Sequence, residues 1–313
     1  MSTSSAGVRR VSIVIPVYRD ADRAIALVHA LKKQRLPWGV DAEIVVVDDG
    51  SGDGSANRIE EAVRDHIVLV RIPSNSGRAI ARNTGAQSVT GDAILFMDCD
   101  CLPAGDDLIA THLDAWGPGV VATVGPVTGN GVGFWHRYQS AASDRRAQQH
   151  AAGMNFSGSS QNLMVSRAAF ESCAGFDSTY RTYGFEDRDL QLRIAQSGRV
   201  AWAAGGSVRH MDPLALPLIC RKMAEAGGAA AVLFSCRHPS AYRALGYAAL
   251  DTRQHPWLRL PARLLGRLIE PMARLGGGLV ENPYAPYWLK SLIVKSLTGI
   301  SYLVGTRRMS QSA

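Results

Sequence analysis

Short runs of apolar, largely β-branched residues alternate with longer segments of helical spacing over the first hundred residues. The runs at residues 11–17 and 43–47 are apolar almost throughout and are bounded by turn-forming residues, which is typical of parallel strands covered on both faces. Between them, residues 22–34 place their apolar side chains three and four positions apart, as in an amphipathic helix. This alternation predicts an α/β protein with a doubly wound, mostly parallel sheet flanked by helices.

The same pattern predicts the elements that follow. Helices are expected at residues 57–63, 80–88 and 186–196, and strands at residues 66–72, 93–97 and 163–166. Residues 125–138 and 152–167 are interpreted as loops with short strands, and residues 214–313 as mainly helical.

Three of the predicted strands end in polar, mostly acidic sequence. The first runs into Tyr18 and Asp20, the second into Asp48 and Asp49, and the fourth into "DCDC" at residues 98–101. Ligands of open α/β sheets bind beyond the carboxyl ends of the strands. The sequence therefore predicts one crevice in which these acids meet.

Asp98 and Asp100 are one residue apart, so a continuing strand would place both carboxylates on one face and both thiols on the other. Two hard oxygen ligands suit Mg²⁺ or Mn²⁺. The alternative is a solvated acidic turn without a metal.

Two other groups near the strand ends are candidates for binding a nucleotide. Asp48 and Asp49 can accept hydrogen bonds from a ribose or a pyrimidine, although Asp, Gly and Ser also occur there simply because they form turns. Arg78 and Arg82 lie four residues apart on one predicted helix face and suit a base or a diphosphate. The alternative for the arginines is a solvated helix face.

A third group lies further along the chain. Glu186 and Asp187 open a predicted helix after an aromatic loop, where a carboxylate can act as a general base, although acids are also favoured in a first helical turn by the helix dipole. His210 is either a structural histidine or a third metal ligand beside Asp98 and Asp100.

Taken in order, the motifs "VSIVIPVYRD", "IVVVDDGSGDGS", "NSGRAIARNTGA", "MDCD" and "GFEDRDLQLR" resemble those of glycosyltransferase family 2, whose members have the GT-A fold. The resemblance covers about residues 11–212. The Glu-Asp motif with a downstream histidine is similar to the galactosyl- and N-acetylgalactosaminyltransferase-type members.

The resemblance implies a metal-dependent, inverting hexosyl- or N-acetylhexosaminyltransferase. It implies a nucleotide-diphosphate sugar donor, with UDP expected, and an acceptor hydroxyl on a glycan, a lipid-linked molecule or a secondary metabolite. Asp187 would be the catalytic base, with Glu186 binding the acceptor. Asp98, Asp100 and His210 would hold Mn²⁺ or Mg²⁺, with Asp98 also near the ribose. The positions implied for the nucleotide-sugar are Pro16, Tyr18, Asp48, Asp49, Arg78 and Asp98.

Charge divides the chain into two regions. Residues 1–213 carry a net charge of −2 and residues 214–313 a net charge of +9, within a total of +7. We expect a disordered leader at 1–10, a GT-A domain at 11–213 and a basic helical extension at 214–313. Within the domain, 11–125 form the nucleotide-sugar half and 126–213 the acceptor half. The extension either contacts an anionic membrane surface or packs as helices or an oligomer contact. Nucleic acid is not expected, because no aromatic platform accompanies the arginines.

Two other function classes remain in competition. A nucleotidyltransferase also uses strand-end carboxylates, but the segment after the first strand, "PVYRDADR", lacks a glycine-rich phosphate loop. A non-catalytic nucleotide-sugar-binding or scaffold protein is the third class. A nicotinamide dehydrogenase is excluded because no G-x-G-x-x-G follows the first strand. Five scattered cysteines and the lack of a signal peptide or spanning segment favour a cytoplasmic protein, free or peripheral on the inner face of the plasma membrane.

Overall fold

The computed structural model describes residues 7–154 and 156–309, which form two compact units. The first contains the described residues up to Gly131 together with Gln139–Ser178 and Asp187–Asp212. The second contains Val132–Tyr138, Thr179–Glu186 and the described chain from Pro213 onwards. Residues 1–6 of the predicted leader lie outside the described residues, and Arg10 already belongs to the first strand.

The first unit is built on a seven-stranded sheet of order β3-β2-β1-β4-β8-β6-β9. The pairs β1–β2, β2–β3, β1–β4 and β6–β9 are parallel, whereas β8 runs antiparallel to both β4 and β6. The strands are β1 Arg10–Val17, β2 Asp41–Asp49, β3 Val68–Ile72, β4 Ala93–Phe96, β6 Val120–Val124, β8 Leu163–Ser166 and β9 Arg199–Trp202. The predicted mixed, mostly parallel α/β sheet is confirmed.

Both faces of this sheet are covered by apolar side chains. Along β1, Ile13 and Ile15 belong to one buried cluster, whereas Val14 belongs to the other. In β4, Leu95 joins the first cluster and Phe96 the second. Alternate side chains of a strand point to opposite faces, so the uninterrupted apolar runs follow from burial on both sides.

Helices cover the sheet and make up most of the second unit. Those that begin in the first unit are α1 Ala21–Leu31, α2 Ser55–Val63, α3 Arg78–Gln87, α4 Leu108–Asp114 and α6 Arg167–Ser172. Two more, α5 Phe134–Ala151 and α7 Glu186–Ile194, begin in the second unit. The C-terminal region contains α8 Leu216–Ala226, α9 Ala229–Arg237, α10 Pro239–Ala244, α11 Arg259–Glu281 and α12 Tyr287–Met309. The predicted helical character of the C-terminal region is confirmed.

Two sequence-based expectations about local backbone structure were wrong. The segment from residue 134, interpreted as loop, is the 18-residue helix α5. Its polar residues are spread around the whole helix, so it shows no apolar stripe from which a helix is recognised. Strand β4 ends at Phe96, and the backbone turns at residues 99–100, where Cys101 N donates to Asp98 O at 3.0 Å. Strand alternation therefore does not set the directions of Asp98 and Asp100.

The second unit packs its long helices against one another closely. Gly305 of α12 lies against the backbone of Ala224 of α8, and a Cβ at residue 305 would collide with the Ala224 carbonyl. Further along the same two helices, Leu216 of α8 and Val294 and Leu297 of α12 are buried in one cluster. None of the helices in the described part of the chain combines the length and the hydropathy of a membrane-spanning segment.

A fully buried histidine, His112 of α4, ties the core of the first unit together. Asn162 donates its amide hydrogens to Pro126 O and Gly206 O at 3.0 and 2.7 Å, which leaves its Oδ1 as the acceptor for His112 Nε2 at 2.8 Å. His112 Nδ1 therefore accepts from the Thr123 hydroxyl at 2.8 Å. The imidazole is neutral, and burial lowers its pKa to about 4.

This buried imidazole should make the protein less stable in acid. The unfolded histidine has a pKa of about 6.5, so between pH 6.5 and 4 the unfolded state binds more protons, and stability falls as the pH is lowered. We expect His112 to account for a loss on the order of 3 kcal/mol in the free energy of unfolding. The free energy of unfolding can be measured by urea titration at several pH values across this range. It should depend less steeply on pH in His112→Gln than in the native protein. In His66→Gln, which alters an exposed residue, its pH dependence should be unchanged.

Candidate active site

The carboxyl end of β2 places two acids in buried positions. The Ser51 hydroxyl donates to Asp48 Oδ1, and both aspartates are almost inaccessible. Asp49 accepts from the backbone N–H groups of Ser76 and Gly77 at 2.8 and 2.9 Å. Asp49 thus fixes the segment that leads into α3.

That segment ends at Arg78, the first residue of α3, whose side chain is exposed. The close approach of this segment to the end of β2 requires a glycine at position 50. The φ angle of Gly50 is +69°, and a Cβ there would collide with the backbone of Ser74. The strand end and the helix start are therefore held as one surface from which Arg78 projects.

The end of β1 contributes Pro16 and Tyr18. Pro16 is a buried strand residue, whereas Tyr18 is 42% exposed and its ring lies 5.0 Å from the Arg19 guanidinium carbon. Arg19 has a positive φ of 56° and is held by Ser51, whose Oγ accepts from Arg19 N at 2.8 Å. Tyr18 thus offers an exposed aromatic ring one residue beyond Val17, which is paired with Asp48 in the sheet.

Arg82 of α3, which the sequence placed on a solvated or ligand-facing surface, is instead buried. It is 1% exposed, and its Nη2 donates to Asp98 Oδ1 at 2.6 Å. Its Nη1 lies 3.7 Å from Asp187 Oδ1, and its guanidinium lies 5.1 Å from the centroid of the Phe176 ring. One guanidinium therefore joins Asp98 to Asp187.

Asp187, in the first turn of α7, has further partners. The Ser160 hydroxyl donates to its Oδ1, and the Ser159 hydroxyl lies 3.3 Å from its Oδ2. The carboxylate remains a quarter exposed. It is thus oriented by two serines and Arg82 while still accessible to a substrate.

Removing the buried cation should destabilise the fold strongly. In Arg82→Met, Asp98 would remain buried without its partner, and we expect a loss of about 3–5 kcal/mol in the free energy of unfolding. A double variant, Arg82→Met with Asp98→Leu, removes both charges and should recover most of that loss. Arg71→Met is the matched control, because Arg71 and Glu60 form an exposed pair worth about 0–1 kcal/mol. Equal losses in the single and double variants would contradict this account of Arg82.

Asp100 and His210 are brought together by a small second sheet of order β5-β10-β7. In it, β5 (Cys101–Pro103) pairs antiparallel with β10 (Val208–His210), which pairs parallel with β7 (Val127–Gly129). His210 lies opposite Cys101, and Met211 N donates to Asp100 O at 2.7 Å. His210 Nε2 is consequently 3.3 Å from Asp100 Oδ2.

The two side chains shift each other's ionisation. Burial raises the pKa of Asp100, but the hydrogen bond and charge of His210, with a smaller contribution from Arg78, outweigh burial and leave that pKa below its ordinary value. Burial lowers the pKa of His210, but the hydrogen bond and charge of Asp100 leave it raised. The protein thus favours an ion pair here.

A third potential ligand, Asp212, was missed by the sequence analysis. Ligand atoms of Asp100, His210 and Asp212 all lie within 4.8 Å of one another. Two carboxylates and one imidazole suit Mn²⁺ or Mg²⁺, so these residues fit a divalent cation. Asp98 is outside this group and pairs with Arg82. Asp212 stands two residues after His210, a spacing that could have indicated it, although it also pairs with Arg23 at 2.6 Å.

Glu186 belongs to the second unit, where the preceding loop is held by aromatic packing. Its Oε2 accepts from Gly184 N at 3.1 Å. Phe185 has a positive φ of 70° and is buried, with its ring stacked on Phe234 at 4.7 Å and 4.9 Å from the ring of Tyr247. This unfavourable backbone conformation is supported by the aromatic cluster and fixes where α7 begins.

The fold and these residues define an α/β enzyme with a candidate cation-binding set and an oriented carboxylate at the carboxyl edge of its sheet. The family model described as glycosyl transferase family 2 matches residues 12–174, more than half of the chain. A model described as the N-terminal domain of galactosyltransferase matches residues 149–210. The chain belongs to glycosyl transferase family 2, and the predicted recognition is confirmed. Among the three function classes considered from sequence, the family selects the glycosyltransferase.

Curated relatives match over part of their length. An undecaprenyl-phosphate 4-deoxy-4-formamido-L-arabinose transferase of Enterobacter sp. is 31% identical over 154 residues, which are 48% of this chain and 46% of the relative. The protein of the same name from Pectobacterium atrosepticum is 37% identical over 100 residues, 30% of this chain and 29% of the relative. The matched region thus spans less than half of these relatives.

A solved structure extends the comparison to nearly the whole fold. The mannosyltransferase PcManGT from Pyrobaculum calidifontis, determined in complex with GDP-Man and Mn²⁺, has a TM-score of 0.60 at 20% sequence identity. The match covers 96% of this chain and 88% of that one. At this identity the likeness establishes the fold, and the predicted GT-A architecture with a helical C-terminal region is confirmed.

Proposed function

We propose that this enzyme transfers a hexosyl or N-acetylhexosaminyl group from a nucleotide-diphosphate donor to an acceptor hydroxyl, with inversion at the anomeric carbon. The observation that carries the proposal is the arrangement of side chains at the sheet edge. Asp100, in the turn after β4, meets His210 and Asp212 in a ligand set suited to a divalent cation, while Arg82 joins Asp98 to the accessible carboxylate of Asp187.

The nucleoside would bind along the ends of β1 and β2. Tyr18 offers an exposed ring for stacking, and Arg78 offers a cation to a diphosphate. Pro16 and Asp48 would line the base, whereas Asp49 acts through the loop that it fixes. Uridine remains the predicted base, and the guanosine nucleotide in PcManGT makes GDP the principal competitor to test.

Asp100, His210 and Asp212 would hold Mn²⁺ or Mg²⁺, and Asp98 would contribute to binding the nucleotide ribose. When bound, the cation supplies positive charge that stabilises the departing nucleoside diphosphate. Asp100 favours its ionised form in this protein, so the carboxylate needed for a ligand is already present.

Asp187 would accept the proton of the acceptor hydroxyl on one of its carboxylate oxygens as that hydroxyl attacks. The serine hydroxyls at 159 and 160 and the guanidinium of Arg82 hold the carboxylate in one orientation. Glu186 would bind the acceptor from the preceding position. A single in-line displacement needs no covalent intermediate, which is consistent with inversion.

The acceptor would be carried by a glycan, a lipid or a small molecule. The relatives are named as transferases for undecaprenyl-phosphate, which supports the lipid-linked class. We propose that the enzyme acts on the cytoplasmic side, peripherally on the inner face of the plasma membrane, in the synthesis of cell-surface glycans. A homo-oligomer is compatible with this assignment.

The experiment is a thermal-shift panel of UDP, GDP and other nucleoside diphosphates, each with and without Mn²⁺. A ligand present at a hundred times its Kd adds about 2.7 kcal/mol to stability. We expect a Mn²⁺-dependent shift with UDP that exceeds the shift with GDP, followed by UDP release from UDP-sugars. A larger shift with GDP would reassign the base, and no shift with any nucleotide in the presence of Mn²⁺ would overturn the proposal.

A further inference from the structure

The 23-residue helix α11 of the second unit exposes an apolar face that runs along most of its length. Five leucines at positions 260, 264, 268, 275 and 279 are between 49% and 74% exposed. At 3.6 residues per turn they fall within an arc of about 100°, and they span about 29 Å of helix. A strip of this kind indicates an interaction site rather than scattered surface residues.

The opposite face of α11 is already in use. Ala262, Ala273, Gly276 and Val280 are buried, the last two near the helix end. The exposed leucines are therefore not surplus core residues of this unit, because the helix has a separate buried face that holds it in place.

Arginines border the exposed strip along one side. Arg263, Arg267 and Arg274 project from the arc next to the leucines, with the guanidinium of Arg274 bound to Glu270 at 2.5 Å. Trp257, 71% exposed, precedes the helix, and Trp288, 66% exposed, lies in the first turn of α12. Tryptophan and arginine at the margin of an apolar face are the residue types that lie at lipid headgroup level.

Two of these arginines also line a pocket that is large enough to admit a headgroup phosphate. Arg263 and Arg267 of α11 line a cavity of about 360 Å³ together with Arg307 of α12. In the part of the chain that the structure describes, none of these three arginines takes part in an ion pair. Three guanidinium groups without a carboxylate partner favour an anionic occupant.

We infer that α11 lies in the surface of an anionic lipid bilayer, with its leucines among the acyl chains and the pocket of Arg263, Arg267 and Arg307 binding lipid phosphates. The inference rests on the proposed peripheral membrane contact and names the residues that make it. A lipid surface fits better than another protein because the apolar strip is continuous and bordered by cations, as expected of an interfacial helix. The region's net charge of +9 has the matching sign.

The test is co-sedimentation of the full chain with vesicles, without nucleotide or metal. We expect binding to equimolar phosphatidylglycerol and phosphatidylcholine, weak binding to phosphatidylcholine alone, and loss of binding as salt is raised well above about 0.1 M. Arg263→Gln with Arg267→Gln should weaken partitioning by about 30-fold. Lys32→Gln with Lys33→Gln, a pair of exposed lysines in the first unit, should leave it unchanged.

A second pair of variants tests the apolar strip. Leu264→Ser with Leu268→Ser should lower partitioning at least tenfold, whereas Trp38→Ser, which removes a fully exposed aromatic residue elsewhere, should not. Equal binding by the leucine variant and the native chain would overturn the inference. The inference would also be overturned if the native chain formed a dimer and did not bind vesicles, and if the leucine variant were monomeric. That result would assign the apolar face to a second copy of the chain.

The leucine and arginine variants should keep the metal-dependent nucleotide shift of the native chain, since none of these residues belongs to the first unit. Vesicle binding without any nucleotide shift would reject the proposed transferase and retain the membrane contact. A metal-dependent nucleotide shift without vesicle binding would reject only the membrane contact.

Discussion

Asp187→Asn is expected to lower kcat/KM by about 10²–10⁴-fold while nucleotide and metal binding survive. General-base catalysis contributes in this range, and asparagine keeps the shape of aspartate while losing the ability to accept a proton. Ser160 and Arg82, which both face Oδ1, can still contact the amide oxygen. The amide nitrogen would take the place of Oδ2 beside Ser159, whose hydroxyl can accept from it. The variant should therefore fold and give a native thermal shift with the nucleoside diphosphate and Mn²⁺.

The comparison variant is Asp65→Asn, which alters an exposed carboxylate of the same unit and should retain native activity. Release of the nucleoside diphosphate from the sugar donor in the presence of acceptor gives the rate. Native activity in Asp187→Asn would remove this residue from the proton transfer. Loss of both activity and the nucleotide shift would instead show that Asp187 supports the fold or the donor site.

Asp100→Asn is the second substitution with a large expected effect, because it changes the best-positioned candidate metal ligand. Asp100 lies 3.3 Å from His210 and belongs to the group with Asp212. A catalytic cation contributes several kcal/mol to stabilising charge in the transition state, which corresponds to about 10³-fold in rate for about 4 kcal/mol. We expect a loss of this size, together with loss of the Mn²⁺-dependent part of the nucleotide shift.

Chelation of the native enzyme by EDTA should reproduce the rate loss, and added Mn²⁺ should reverse it. Asp106→Asn, which changes an exposed acid shortly after the same turn, serves as the control and should keep metal-dependent activity. His210→Gln and Asp212→Asn should each weaken the apparent Mn²⁺ affinity. If the activity of Asp100→Asn depended on Mn²⁺ in the same way as the activity of the native enzyme, the proposed ligand set would be wrong.

Much of the first unit follows from local sequence. The β-branched runs of β1, β2 and β4 are recognisable because strands buried on both faces need apolar side chains at every position. The acids that follow them are visible because chain direction places parallel strand ends at one edge. The ordered motifs were sufficient to identify the family, since together they span most of the sheet.

The contacts that individual side chains make were harder to predict from the sequence. Arg82 was expected on a helix surface, yet it is buried against Asp98 and near Asp187, which lies more than a hundred positions further along the chain. Asp98 and Asp100 were expected to act together, but the turn after β4 directs them to Arg82 and His210. Nothing local distinguishes these outcomes, because long-range contacts decide them.

Local sequence was enough to establish the strand–helix alternation, the family and the acidic strand ends, because burial and chain direction impose patterns that can be detected locally. Tertiary structure alone decided the helix α5, the buried position of Arg82, and the meeting of Asp212 with Asp100 and His210. Each of these features depends on the free energy of placing a charged side chain or a helix surface next to residues that are distant in the sequence. Hydrogen bonding and burial in the folded chain set that energy.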